Sequence, residues 1–140
     1  MPKVLIVDDD PVYCKLLSRL IERSNCVTRI ADGAHVAIDI ASEFRPDVIV
    51  ADWMLRDFHD GLDLLYAVRQ ASIHCPLILM SGYPSDQLRL DARTSGVFRF
   101  LSKPFEPEEL IAAIFEAVAP RKDLPAALPD TTRPAPPPAP

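Results

Sequence analysis

Residues 45–65 read RPDVIVADWMLRDFHDGLDLL. The apolar, β-branched run 48–51 stops on a single carboxylate, Asp52. A polar loop carrying Arg56, Asp57, His59, Asp60 and Gly61 then leads into a new apolar helix. A short continuous apolar run bounded by turn signals reads as a strand buried on both faces, the pattern of a parallel sheet. Ligands of open α/β sheets bind just beyond the carboxyl ends of such strands, so Asp52 stands where a reactive group would. An acid there can also do no more than solubilise the strand end. What decides is whether the other strands end on matching groups.

Upstream, residues 3–7 (KVLIV) form a second buried-strand run, ending on Asp8, Asp9 and Asp10. Pro11 follows, with Val12, Tyr13, Leu16, Leu17, Leu20 and Ile21 at helical spacing. Proline suits the first helical turn, where its missing N–H would have no partner. Asp10 suits the N-cap and the positive end of the helix dipole. Asp10 therefore has a structural task, and Asp8 and Asp9 have none. Residues 27–30 predict a short edge strand, Asp32-Gly33 a turn, and 34–44 a second helix with Val36, Ala37, Ile40 and Ala41 inward.

Downstream, Leu62, Leu64, Leu65, Val68 and Ala71 mark a third helix. Pro76 leads a fourth strand, 77–80, that ends on Ser81-Gly82. Between 84 and 95, Leu88, Leu90 and Ala92 lack a clean helical period, which predicts a marginal or mobile fourth helix stopped by Gly96. Residues 97–101 predict a fifth strand running into Ser102-Lys103-Pro104-Phe105. The last helix turns Leu110, Ile111, Ile114, Phe115 and Val118 inward, with Pro107, Glu108 and Glu109 in its first turn. Strand and helix alternate throughout with short connections, which implies a parallel sheet covered by helices on both faces. The expected fold is a flavodoxin-like, doubly wound α/β protein: five parallel strands in the order 2-1-3-4-5, with five helices.

At 140 residues, 49% hydrophobic and 25% charged, the chain can bury one core without disulfide or metal staples. A net charge of −5 and the lack of any Lys/Arg cluster argue against a nucleic-acid surface. Cys14, Cys26 and Cys75 lie far apart among apolar neighbours and read as small buried hydrophobes in a reducing compartment. No apolar run approaches a membrane span, and a strand begins within a few residues of Met1. The expectation is a cytoplasmic protein with no signal peptide and no membrane contact. After Ala119 the composition changes: eight of the 15 prolines (Pro120, Pro125, Pro129, Pro134, Pro136, Pro137, Pro138, Pro140) fall in the last stretch. The expected organisation is a domain over 1–119 and a disordered, polyproline-like tail over 120–140.

The strand ends, taken together, carry a pattern. The first offers Asp8 and Asp9, the third Asp52, the fourth Ser81 and the fifth Lys103. In the order 2-1-3-4-5 the first and third strands are neighbours at the switch point, so three carboxylates converge on one crevice. Like charges that close need a proton or a cation between them. Hard oxygen ligands suit Mg²⁺, which takes one or two carboxylates plus a phosphate oxygen and keeps several waters. A hydroxyl and an ammonium opposite would complete a phosphoryl site, where catalysis is mostly positioning and charge neutralisation. Asp52 is then the nucleophile, forming an acyl phosphate. Each piece has a plainer reading alone: a surplus helix cap, a turn, a solvated loop. Five such pieces at the right strand ends make a site.

The chain resembles the receiver domain of bacterial two-component response regulators. The resemblance spans residues 3 to about 119 and rests on VLIVDDD (4–10), PDVIVADWM (46–54), LILMSG (77–82) and FLSKPF (100–105). It implies that Asp52 accepts a phosphoryl group from a histidine kinase, a phosphotransfer protein or a small acyl phosphate. Asp9, Asp52 and the Met54 backbone carbonyl would bind Mg²⁺ directly, and Asp8 mainly through water. Lys103 would pair with a phosphoryl oxygen, ahead of a cis bond to Pro104. Ser81 and Phe100 match the switch pair, which shifts a face built from the fourth helix, fifth strand and fifth helix between two packings. The implied function is a single-domain response regulator that catalyses only its own phosphorylation and dephosphorylation. Its output would pass to a downstream protein partner.

The departures are local. Arg56 stands where the family usually has Pro, and Gly61 comes one position later than usual. The loop is thus one residue longer, which bears on the Met54 carbonyl. Phe100 replaces the commoner Tyr. Met54 and Tyr83 occupy positions that, in similar domains, tune hydrolysis of the acyl phosphate, and their bulk predicts slow self-dephosphorylation. Two other readings compete. A phosphorylation-independent, receiver-like binding module is favoured only by the longer loop. A small Mg²⁺-dependent phosphohydrolase would use the D-x-D spacing of Asp8 and Asp10 and leave Asp52 idle; turnover of a phosphoester would discriminate it.

Overall fold

In the computed structural model, which describes residues 1–55 and 61–120, the chain alternates strand and helix from end to end. The elements are β1 (Lys3–Val7), α1 (Pro11–Glu22), β2 (Val27–Ala31), α2 (Ala34–Phe44), β3 (Val48–Asp52), α3 (Gly61–Gln70), β4 (Leu77–Ser81), α4 (Asp86–Thr94), β5 (Arg99–Ser102) and α5 (Pro107–Val118). The strands form one five-stranded sheet in the order β2-β1-β3-β4-β5. All four pairings are parallel. This is the flavodoxin-like arrangement expected from the sequence.

Burial follows position in the sheet. The four apolar residues closing β1 and those opening β3 are fully buried, as is all of β4. The edge strands β2 and β5 expose much of their length. Strand side chains alternate between faces, and the alternation divides the core in two. Val4, Ile6, Val48, Val50, Ile78, Met80 and Leu101 pack against α1 and α5 through Cys14, Leu17, Ile21, Leu110 and Ile114. Leu5, Val7, Ile49, Ala51, Leu77 and Leu79 pack on the other layer, with Ala37, Ala41, Leu64, Val68 and Ala92.

The helix starts are set locally. The Asp10 side chain accepts the N–H groups of Val12 and Tyr13 at 3.0 and 3.2 Å, the N-cap read from the sequence. α5 opens with a capping box between Glu106 and Glu109 behind Pro107. α4 is a regular helix, and the Ser85 hydroxyl accepts the Leu88 N–H at 3.0 Å. Its blurred pattern has a simple cause: Leu88 and Ala92 are buried one turn apart, while Leu90 faces solvent.

Two inward assignments are corrected: Val36 and Phe115 are exposed. Of the other positions at helical spacing, Val12 and Leu16 are exposed, and Ala71 is exposed just beyond α3. These helices carry more apolar residues than one face can bury, so small residues such as Ala113 and Ala117 take the interior positions of α5. β5 starts two residues later than expected. Val97 is buried ahead of it, and the Phe98 N–H already donates to the Leu77 carbonyl at 2.8 Å. The proline-rich tail beyond Pro120 and loop residues 56–60, including Arg56, lie outside the described residues.

Candidate functional site

The alternation that builds the two layers also aims the site residues. Asp8 continues the Val4–Ile6 face and Asp52 the Val48–Val50 face. Lys103 lies two residues beyond Leu101, so all three emerge on the α1/α5 side. Ser81 continues Leu77–Leu79, and Phe100 packs against the opposite layer, beside α4. At the carboxyl ends of the strands the two sets meet. Asp52, Trp53, Met54, Ser81, Gly82, Tyr83 and Lys103 line a cleft of about 140 Å³.

The cleft is organised around one ammonium. Lys103 Nζ donates to Asp52 Oδ1 at 2.8 Å and lies 3.7 Å from Asp8 Oδ2. On another side it sits 4.5 Å from the centroid of the Tyr13 ring. The second Asp52 oxygen accepts the Met54 N–H at 3.1 Å. The main chain of Lys103 is itself fixed, because its N–H donates to the Ser81 carbonyl at 2.7 Å. The bond from Lys103 to Pro104 is cis. Ser81 is buried, and its hydroxyl accepts the Tyr83 N–H at 3.0 Å.

Asp8 is the most enclosed of the acids, at 3% exposure. Its Oδ1 accepts the Asp10 N–H at 3.0 Å. Burial pushes its carboxyl above the ordinary 3.8; the Asp10 hydrogen bond opposes this, and the charge of Asp52 adds to the rise. For Lys103, burial acts to depress the ammonium. The hydrogen bond to Asp52 and the charges of Asp52 and Asp8 outweigh it and hold the group above 10.5. Burial, with Asp8 close by, pushes the Cys14 thiol up to about 11. That thiol donates to the Asp8 carbonyl at 3.3 Å and behaves as a packing group.

Of the residues singled out in the sequence, the structure joins Asp8, Asp52 and Lys103 directly and places Ser81 and Met54 in the same cleft. Asp9 is half-buried beside them, close enough for its charge to raise Asp8. Among the described residues, no three acidic, imidazole or thiol groups are gathered tightly enough to hold a metal ion. The convergence of three carboxylates is thus electrostatic here, and the ammonium stands between two of them. The donor chemistry still fits a hard divalent cation, because Asp8 Oδ2 is buried and makes no hydrogen bond. Phe100 stands apart from the cleft, half-buried under the Arg89 guanidinium at 5.2 Å. Arg89 also donates to Ser102 Oγ at 3.0 Å.

Two neighbours, Tyr13 and Arg89, went unnoticed in the sequence. Tyr13 read only as one more apolar helix position, and Arg89 was not singled out. Only the Asp10–Pro11 cap hinted that residue 13 would lie in the turn beside the acids.

A doubly wound sheet in this order, with a carboxylate pair and an ammonium at its switch point, defines the receiver class of signalling domains. The chain belongs to the response regulator receiver domain family, which residues 4–115 match. It is 33% identical over 112 residues to the transcriptional regulatory protein TrcR of Mycobacterium tuberculosis, covering 80% of this chain and 43% of that protein. With the DNA-binding transcriptional regulator NtrC of Proteus hauseri it shares 30% over 115 residues, covering 82% and 24%. The chain therefore spans less than half of these relatives. Among solved structures, the receiver domain of Francisella response regulator 1452 superposes with a TM-score of 0.78 at 31% identity, covering 84% of this chain and 97% of that one. A receiver domain protein from Clostridium thermocellum gives 0.80 at 25%, covering 89% and 98%.

Proposed function

We propose that this receiver domain is a phosphorylation switch whose phosphoacceptor is Asp52. One observation carries the reading: the Asp52 carboxylate opens onto a cleft of phosphoryl size with an ammonium 2.8 Å from it and the Ser81 hydroxyl on its wall. In the step, an Asp52 oxygen attacks phosphorus. The new O–P bond forms as the bond to the donor breaks, and its electron pair leaves on the phosphohistidine nitrogen or the acyl-phosphate oxygen. Lys103 meets the added negative charge, and Ser81, which already accepts from Tyr83, offers its proton to a phosphoryl oxygen.

Asp9, Asp52 and the Met54 carbonyl would hold Mg²⁺, with Asp8 acting mainly through water; the bound ion would neutralise charge on the carboxylates and the phosphoryl oxygens. Recruitment of Ser81 biases Phe100 and the α4–β5–α5 face between two packings, and a protein partner reads that face. The donor is a histidine kinase or phosphotransfer protein, and turnover is confined to the domain's own phosphoryl group. Three unpaired thiols suit a reducing cytoplasmic setting, and among the described residues no helix is long and apolar enough to cross a membrane. The exposed side chains of Met54 and Tyr83 flank the cleft and screen the water that would hydrolyse the acyl phosphate.

The test uses Trp53, the single tryptophan, which lines the cleft. Its fluorescence is followed while Mg²⁺ and then beryllofluoride, a phosphoryl mimic, are added, with Asp52→Asn as the control. A saturable Mg²⁺ response followed by a second change absent in the variant is expected. A response indifferent to Asp52 would leave a constitutive binding module.

A further inference from the structure

The ring of Tyr13 covers the ammonium on which the cleft is built. Its centroid is 4.5 Å from Lys103 Nζ, inside the roughly 6 Å over which an aromatic face attracts a cation. The ring is held from two directions. The Asp10 cap fixes the first turn of α1 by taking the Tyr13 N–H, and the ring packs half-buried against the α1/α5 layer. Among the described residues, the ammonium's charged contacts are Asp52 and Asp8. Both are carboxylates that the phosphoryl chemistry engages. An arriving cation competes with Lys103 for each of them. It does not compete for the ring, because a hard divalent cation takes oxygen ligands and keeps several waters.

We propose that Tyr13 is a positioning residue whose ring keeps the Lys103 ammonium over the cleft, so that the charge stays in place when the carboxylates turn to other partners. The inference rests on reading Asp52 as the phosphoacceptor. Lysine carries a compact charge on a long flexible stem, so an ammonium without a fixed contact spreads over many rotamers. A third carboxylate could fix it, but only by adding negative charge beside Asp8, Asp9 and Asp52. A ring anchors the cation without adding any. Tyr13 lies within electrostatic range of the whole group: burial raises its hydroxyl pKa, Lys103 lowers it, and Asp8 and Asp52 raise it.

The experiment compares the full chain with Tyr13→Leu and Tyr13→Phe. Beryllofluoride affinity in the presence of Mg²⁺ is read by Trp53 fluorescence, and the Lys103 ε-methylene protons are followed by NMR. A proton over a ring face resonates upfield, so the lysine signals report the contact without any phosphoryl mimic. Tyr13→Leu should weaken beryllofluoride binding about two- to thirty-fold and return the lysine signals to their ordinary positions. Tyr13→Phe, which keeps the ring and loses the hydroxyl, should restore both. The proposal is overturned if Leu binds as well as Tyr, if Phe fails as Leu does, or if the unaltered protein shows no upfield lysine signals. Failure of the unaltered protein to bind beryllofluoride overturns the phosphoacceptor reading instead, and the lysine signals then decide by themselves whether the ring holds the ammonium.

Discussion

Replacing Asp8 by Asn should stabilise the metal-free protein at neutral pH, although it deletes one partner of a buried ion pair. Asp8 Oδ2 is 3.7 Å from Lys103 Nζ, and Asp52 Oδ1 is 2.8 Å from the same nitrogen, so the two oxygens are at most 6.5 Å apart (3.7 plus 2.8). At an effective dielectric of about 20, Asp8 gains about 4.5 kcal/mol from the ammonium and loses at least about 2.5 kcal/mol to Asp52. The remaining attraction, at most about 2 kcal/mol, is smaller than the several kcal/mol that removing a carboxylate from water costs. The upward displacement of the Asp8 carboxyl, caused first by burial, has the sign this balance requires. Asparagine keeps an oxygen for the Asp10 N–H and puts an uncharged amide where Oδ2 faces the Lys103 ammonium. The expected gain is about 1–3 kcal/mol.

The same balance fixes a pH dependence. A raised carboxyl pKa means the native state binds more protons than the unfolded chain above 3.8. The associated stability is fully present below 3.8 and lost as pH rises through the native-state value. Asp8 should therefore contribute more to the urea midpoint of the unaltered protein in chelator near pH 4 than at pH 7.5, and Asp8→Asn should flatten that difference. Adding Mg²⁺ should stabilise the unaltered protein more than the variant. Urea midpoints at the two pH values, read from Trp53 fluorescence, measure all three effects. A variant that unfolds at lower urea than its parent at pH 7.5, or keeps the full pH difference, refutes the reasoning.

Removing the α1 cap with Asp10→Ala takes the acceptor from the Val12 and Tyr13 N–H groups and should cost about 1 kcal/mol in urea unfolding. Met54→Asn replaces an exposed thioether at the cleft wall with a group that can hold water; the acyl-phosphate lifetime should shorten several-fold, and an unchanged or longer lifetime would remove the screening role. Arg89→Ala deletes the cation over Phe100 and the bond to Ser102, which lowers the cost of moving the ring. Beryllofluoride should then bind about two- to five-fold more tightly in the Trp53 titration.

How much was legible in the sequence follows from which interactions are local. Buried parallel strands show as unbroken apolar runs, so the ends of β1, β3 and β4, and with them Asp8, Asp52 and Ser81, could be read directly. The Asp10 cap is a contact over two and three residues and was equally plain. Helix faces were read less well, because Val12, Leu16 and Phe115 match the period yet stand in solvent. Tyr13 on Lys103 and Arg89 on Phe100 each join a helix to β5 or its end. Such pairings depend on how helices sit across the sheet, and no spacing rule encodes them. The meeting of the acids was half legible: topology brings their strands together, but that Lys103 stands between Asp8 and Asp52 was not readable from spacing.

Under the proposed switch, the division of the core would let one site both hold charge and report it. Asp8, Asp52, Lys103 and Tyr13 belong to the α1/α5 side of the sheet, while Phe100 and Arg89 belong to the side of α4. A rearrangement confined to the first group would be invisible at α4. Ser81 crosses that boundary. Its carbonyl accepts the Lys103 N–H at 2.7 Å, and its side chain continues the face of Leu77 and Leu79. A hydroxyl can accept from Tyr83 and still donate, so recruiting it toward a phosphoryl oxygen need not break the existing bond. It does require a buried group to move within a close-packed layer. The half-buried Phe100 ring packs in that layer with no backbone tie of its own to Ser81, since β4 pairs Ser81 with Ser102. If Phe100 is the ring that answers Ser81 in the proposed switch, Arg89, bonded to Ser102 and lying over Phe100, would add to the cost of moving it.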